Sequence, residues 1–364
     1  MKKRILSVIL AAAMALSLSA CGSAGKNSET TGRASETAAE TTEETTAGES
    51  SSEEITSESE TLTDIEGCDF NIASMKGPTS IGLVKLFYDS DNNETTNKYN
   101  YSIYGTADEI SAGLVKGEID VAAVPCNLAS VLYNKTQGEV VIAGINTLGV
   151  LYVMSKGVEI NSVSDLKGQT IYTTGQGTTP EYTLRHLLSA SGIDPDNDVT
   201  IEFKSEASEV VSAVSELDTA VVMLPQPYVT VAQKSDSALK TALDVTEEWE
   251  KSSSDGSTVV TGVIVARKSF INEHPEQFKA FLEEYRQSTD YANSNVEDTA
   301  SLLESFDIFK AAIAKDAIPE CNVTFIDGED MKTKVMSYLN VLYEANPQSI
   351  GGTLPDENIF YKAQ

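Results

Sequence analysis

Reactive side chains are scarce in this chain: 364 residues hold four cysteines, two histidines and one tryptophan. Leaving aside Cys21, near the start, Cys68, Cys126 and Cys321 permit at most one disulfide and leave one thiol over, which argues against a disulfide scaffold. No Cys-x-x-Cys pair occurs, and His186 and His274 stand far apart, so neither a zinc nor a copper site is expected, nor any cofactor. The sequence also lacks a Gly-x-Ser-x-Gly elbow and a His-Glu-x-x-His helix. Basic residues are few, 26 Lys and Arg against 55 Asp and Glu, for a formal charge of −29. That field repels phosphate backbones and anionic membrane surfaces and argues against nucleic-acid binding.

A long apolar run is missing as well. The most apolar stretch, Ile5 to Leu18, is 14 residues, whereas a spanning helix needs about 20. It follows Lys2, Lys3 and Arg4 and ends in Leu18-Ser19-Ala20-Cys21-Gly22, the layout of a secretory signal over residues 1–21. The small-residue site closing on cysteine resembles the lipobox of bacterial lipoproteins. That resemblance implies acylation of Cys21 and a protein held by lipid at the outer face of the cell membrane. A plain signal peptide or an uncleaved anchor is the alternative. Residues 22–62 are mostly Ser, Thr, Glu, Ala and Gly, with ten Glu against Lys26 and Arg33. Without enough apolar surface to offset ordering entropy, they are expected to form a disordered tether. Residues 63–364 then carry a formal charge of −24.

The remaining chain is longer than one compact core usually serves, so two lobes are expected. Short apolar runs alternate with amphipathic segments, the pattern of an α/β fold. A first pass gives strand 70–73, helix 80–88, strand 99–104, helix 107–116, strand 121–124 and helix 127–135. A second gives strand 170–173, helix 180–190, strand 200–204, helix 207–216, strand 219–223 and helix 226–233. Glu118-Ile119-Asp120 leads into an apolar run stopped by Pro125, and Glu216-Leu217-Asp218 leads into one stopped by Pro225. Strands 140–147 and 151–155 carry the chain from the first lobe to the second, and 259–267 carries it back. Helices over 276–293 and 329–345 are expected to find no partner in the second lobe. Lobe I is thus 63–150 with 256–364, lobe II is 151–255, and two crossings near 144–151 and 254–262 form a two-strand hinge. One continuous large sheet is the alternative.

In open α/β sheets, ligands bind beyond the carboxyl ends of the strands. Two loops there combine glycine with hydroxyl residues before a helix: Ser74-Met75-Lys76-Gly77-Pro78-Thr79-Ser80 and Thr174-Gly175-Gln176-Gly177-Thr178-Thr179-Pro180. Free N–H groups at a helix start, joined by hydroxyls, suit a polar ligand group; the simpler reading is that these hydroxyls cap helices. Two equivalent loops favour a shared cleft. The third loops add Asn127 and Gln226 as orienting side chains and Tyr228 as a stacking face, each equally readable as a cap or core residue. Cys126 reads as a small buried hydrophobe, and Trp249 as packing lobe II. The stretch Asp194, Asp196, Asp198 lacks the Gly and Glu of a calcium loop and reads as a polar turn.

With the leader, the paired lobes and the Met75-to-Ser80 and Thr174-to-Pro180 loops in view, the chain resembles ABC-transporter substrate-binding lipoproteins. Within them it is most similar to the nitrate/sulfonate/taurine type and to the binders of thiamine pyrimidine precursors. The resemblance covers roughly 69–345. It implies a type II periplasmic-binding-protein fold, capture of a small solute between closing lobes and delivery to a membrane permease, without catalysis. Family binding residues would fall on Lys76, Gly77, Pro78, Thr79, Ser80, Asn127, Gln176, Gly177, Thr178 and Thr179. These loops contain no arginine, and Lys76 is their one cation, so a small polar or zwitterionic solute is expected rather than a bare anion. Pyrimidine-synthase relatives make an enzyme the alternative, but they resemble proteins with a reactive His and a cysteine-rich segment, and this chain has neither. An adhesion or signalling lipoprotein is a third reading.

Overall fold

The computed structural model describes residues 65–253 and 256–362. The leader with Cys21 and the tether lie outside the described residues. Two mixed sheets account for the strands, and each begins with the βα alternation read from the sequence. In the first half, β1 (Asp69–Met75) runs through a 3-10 segment, Pro78–Leu83, into α1 (Val84–Asp91). Then come β2 (Lys98–Tyr104), α2 (Ala107–Lys116), β3 (Val121–Pro125), α3 (Cys126–Lys135) and β4 (Val140–Thr147). The chain crosses at 148–150 to β5 (Leu151–Lys156), then β6 (Thr170–Thr173), α4 (Thr179–Ala190), β7 (Thr200–Phe203) and α5 (Ala207–Ser215). After these come β8 (Ala220–Pro225), α6 (Tyr228–Ser235), β9 (Lys240–Asp244) and α7 (Val245–Ser252). It returns to β10 (Gly262–Arg267), α8 (Lys268–Glu273), α9 (Pro275–Ser294), α10 (Val296–Ser305), α11 (Ala311–Ala317), β11 (Val323–Ile326) and α12 (Gly328–Ala345).

The strand orders are β2-β1-β3-β10-β4-β11 and β7-β6-β8-β5-β9. In each sheet three strands run parallel, and the fourth, antiparallel, is the strand that has just arrived from the other sheet, β10 or β5. Each sheet continues beyond it with a strand antiparallel to the arrival, β4 or β9. The repeat is therefore one of topology, with the crossing strand holding the same place twice. Parallel strands covered on both faces read as unbroken apolar runs, and all five residues of β3, Val-Ala-Ala-Val-Pro, are buried.

Several boundaries differ from the periodicity. Pro78 starts the first helical segment early, since a missing N–H costs nothing there. The helix expected from 226 begins at Tyr228, after Pro227. The segment 240–252 forms β9 and α7, neither of them expected, with Asp244 capping Thr246 and Glu247 N–H at 2.8 and 3.2 Å.

One expectation is corrected outright. The helix over 329–345 does have a partner in the second half: the Tyr338 hydroxyl lies 2.8 Å from Thr183 Oγ1 of α4, and its ring lies 5.1 Å from Trp249 of α7. Apolar side chains from both halves therefore join one continuous buried cluster.

The first crossing is tight. Asn322 donates its side-chain amide to Gly149 O at 2.5 Å, and an added Cβ at Gly149 would sit 1.7 Å from Thr246 Oγ1 and 2.9 Å from its Cβ. Gly149→Ala is expected to cost about 1–3 kcal/mol through overpacking. A lowered melting temperature, partly recovered by adding Thr246→Ala, checks it.

Candidate functional site

The carboxyl ends of β1, β3 and β4 share one end of the first sheet, because β10 pairs Gly262 with both Pro125 and Thr147. Beyond β1, Lys76 is exposed and its N–H donates to Tyr104 O at 2.8 Å. Ser80 Oγ donates to Met75 O at 2.6 Å and meets Ser74 Oγ at the same distance, closing the turn around Gly77 and Pro78. Thr79 is buried, and its carbonyl accepts from Asn146 Nδ2 at 3.1 Å. The hydroxyls of Thr79, Thr147 and Thr261 and Asn146 Oδ1 are buried with no protein partner among the described residues. Buried polar atoms usually have partners, so this concentration at one strand end marks a polar floor. Asn146, Thr147 and Thr261 escaped the sequence reading; the available signal was polar residues ending or preceding otherwise apolar strands.

The second loop is occupied by the chain itself. Gly175 takes φ of +74°, which a side chain would strain, and Thr178 Oγ1 donates back to Gly175 O at 2.7 Å. Gly177 N–H donates to Glu181 Oε2 at 2.7 Å, while Glu181 Oε1 accepts from Arg185 Nε at 2.8 Å. Glu181 is 9 % exposed, so a helix start that suits an anion already holds a carboxylate of the same helix. Gln176 remains exposed. Thr179 Oγ1 donates to Asn127 Oδ1 at 3.3 Å, and Asn127 Nδ2 donates to Gly177 O at 3.4 Å and Ser349 O at 2.9 Å. Asn127, Gly177 and Thr179, chosen as ligand contacts, are brought together, but in contact with one another.

The other candidates are engaged elsewhere. Gln226 is buried, its Oε1 accepting from Thr230 N–H and Oγ1 at 3.3 and 3.0 Å, in the manner of a cap. Tyr228 packs edge-on against Phe309 in the other half, with ring centroids 5.3 Å apart, so its face is a contact between halves. Nearby, Lys234 pairs with Asp316 at 2.6 Å. Burial pushes the Cys126 thiol up, so it stays protonated at neutral pH and is no nucleophile. Cys68, Cys126 and Cys321 are free thiols. Trp249 is fully buried, as a packing residue should be, and it also touches Tyr338 of the other half. A hollow of about 380 Å³ beside Lys156–Ile160 lies at the opposite end of the second sheet, away from all these loops.

Two βα sheets with an exchanged fourth strand, their carboxyl-end loops in contact, define an architecture that solved structures share. A protein described as an ABC transporter from Parabacteroides distasonis is 23% identical, with a TM-score of 0.67 over 81% of this chain and 99% of that one. The fold is that of a periplasmic binding protein. The periplasmic aliphatic sulphonate binding protein SsuA from Escherichia coli matches at a TM-score of 0.66 and 13% identity, over 81% of this chain and 92% of that one. The periplasmic nitrate-binding protein NrtA from Synechocystis PCC 6803 matches at 0.58 and 11%, over 78% and 84%. Residues 130–298, less than half of the chain, match the family described as NMT1/THI5 like. No curated protein matches the chain.

Proposed function

We propose that this chain is an extracellular solute-binding protein that captures a small polar molecule between its two halves and delivers it to an ABC permease. The observation that carries the reading is the meeting of the two sheets at their carboxyl ends, where such sheets bind ligands. The family match and the solved structures support it. In this reading 63–150 with 256–364 is one lobe and 151–255 the other, joined by crossings near 144–151 and 254–262. Ligand contacts fall to Lys76, Gly77, Pro78, Thr79, Ser80, Gln176 and Thr178, with Asn146 and Thr147 on the floor. A bare oxyanion fits poorly, because Glu181 already holds the Gly177 N–H and the loops carry no arginine. The protein is no enzyme in this reading, since its thiols are buried or lone and its histidines lie outside the loops. Acylated Cys21 and the 22–62 tether would hold it at the outer membrane face, a role resting on the sequence alone.

The chain beginning at Glu60, incubated with a small-molecule extract of the source cells, tests this. A retained small molecule in native mass spectrometry and a smaller radius of gyration by X-ray scattering are expected. No retained molecule and an unchanged radius would remove the reading.

A further inference from the structure

We propose that Asn127 and Tyr338 are positioning residues: side chains of the first half that hold the Thr174–Thr179 loop of the second half and the first turns of α4 behind it in place. The importance given to this loop rests on the solute-binding reading; the positioning itself does not. Thr179 and Thr183 are four residues apart, so they lie on one face of α4, and both are fully buried. Each hydroxyl finds its partner across the boundary between halves, Thr179 on Asn127 Oδ1 and Thr183 on the Tyr338 hydroxyl. Asn127 is 1 % exposed, and its amide spans three elements: it accepts from α4, and it donates to the loop at Gly177 O and to Ser349 O after α12.

The arrangement has a mechanical consequence. Asn127 fixes the loop from the back at both Gly177 and Thr179, while Glu181 fixes it from its own helix through the Gly177 N–H. Tyr338 also packs against the Trp249 ring of α7, so its hydroxyl is held at α4 by a second contact across the same boundary. Motion of the halves that leaves this seam closed would carry the loop with its shape kept; motion that parts the seam would release it. A side chain that only filled space here could be replaced by an apolar isostere without local consequence.

Hydrogen exchange of the ligand-free protein separates the two cases. In Thr179→Val, which keeps shape but loses the hydroxyl, amides of 176–182 are expected to exchange about fivefold or more faster. Those of 76–81 in the first loop should be unchanged. Tyr338→Phe should act likewise on 182–187. Thr179→Ser, which restores a hydroxyl, should return the protection. Unchanged exchange in Thr179→Val and Tyr338→Phe would overturn the proposal. So would an equal rise over 76–81, which would mean general destabilisation, or a failure of Thr179→Ser to recover protection. The measurement needs no ligand, so it stands or falls separately from the solute-binding reading.

Discussion

Asp120→Ala is expected to lower stability by about 3–5 kcal/mol, the range for a buried ion pair left with one partner. Asp120 is 4 % exposed and joins three strands. Its Oδ2 accepts from Asn71 N–H and Nδ2, both at 2.9 Å, at the middle of the sheet, and its Oδ1 pairs with Arg267 at the end of β10. Arg267 also donates to Ile119 O and Ser269 Oγ, both at 3.0 Å, so the substitution leaves a half-satisfied guanidinium rather than a free one. Asn71 loses its acceptor altogether. Asp120→Asn keeps an acceptor for Asn71 and should cost less, although its NH2 then faces the Arg267 guanidinium, donor against donor. Urea unfolding followed by circular dichroism measures both; a midpoint for Asp120→Ala within error of the parent would show that the pair contributes nothing.

Removing Trp249 should be comparably severe, about 3–5 kcal/mol for Trp249→Ala. The ring is fully buried, 4.4 Å from His186 and 5.1 Å from Tyr338, and Nε1 donates to Ser257 Oγ at 3.0 Å. It therefore fills the space where α4, α7 and α12 meet. A cavity there weakens the packing between halves as well as the second half itself. Trp249→Phe keeps much of the contact and loses the N–H, for a smaller cost of about 1 kcal/mol in the hydrogen bond, plus the lost ring volume. Calorimetry should show one transition in the parent and a lower, broader or split transition in Trp249→Ala. An unaltered single transition would mean that the seam does not couple the halves.

The elements that were easy to see are those whose periodicity is set locally. Strand β4 is Val140–Thr147 and helix α2 is Ala107–Lys116, both where the apolar spacing put them, and α4 and α9 differ by a residue or two at their ends. Harder were β9, α7, α10, α11 and β11. The run Val-Thr-Phe-Ile of β11 is only four residues, and its strand character comes from lying beside β4 through Val323 and Ile326. Helix α7 buries only Val245 and Trp249, four residues apart, between acidic neighbours, so its apolar face is two residues long and was easy to miss.

The candidate residues divide along the same line. The sequence by itself determined that the glycine and hydroxyl loops would stand at strand carboxyl ends, because a loop between a strand and the helix after it leaves from the strand's carboxyl end, and parallel strands put those ends on one side. It also determined the charge that disfavours a bare anion. Only the tertiary structure decided what each polar atom faces. Asn127 reaches across to Thr179, and Tyr228 lies on Phe309, because elements distant in the chain close over them, whereas the bond from Gly177 N–H to Glu181 spans only four residues and is local. The physical reason is that turn and helix preferences are fixed within a few residues. A side chain's hydrogen-bond partner instead depends on which of several apolar faces happen to pack together, and Asn127 meets Ser349 across 222 positions of sequence.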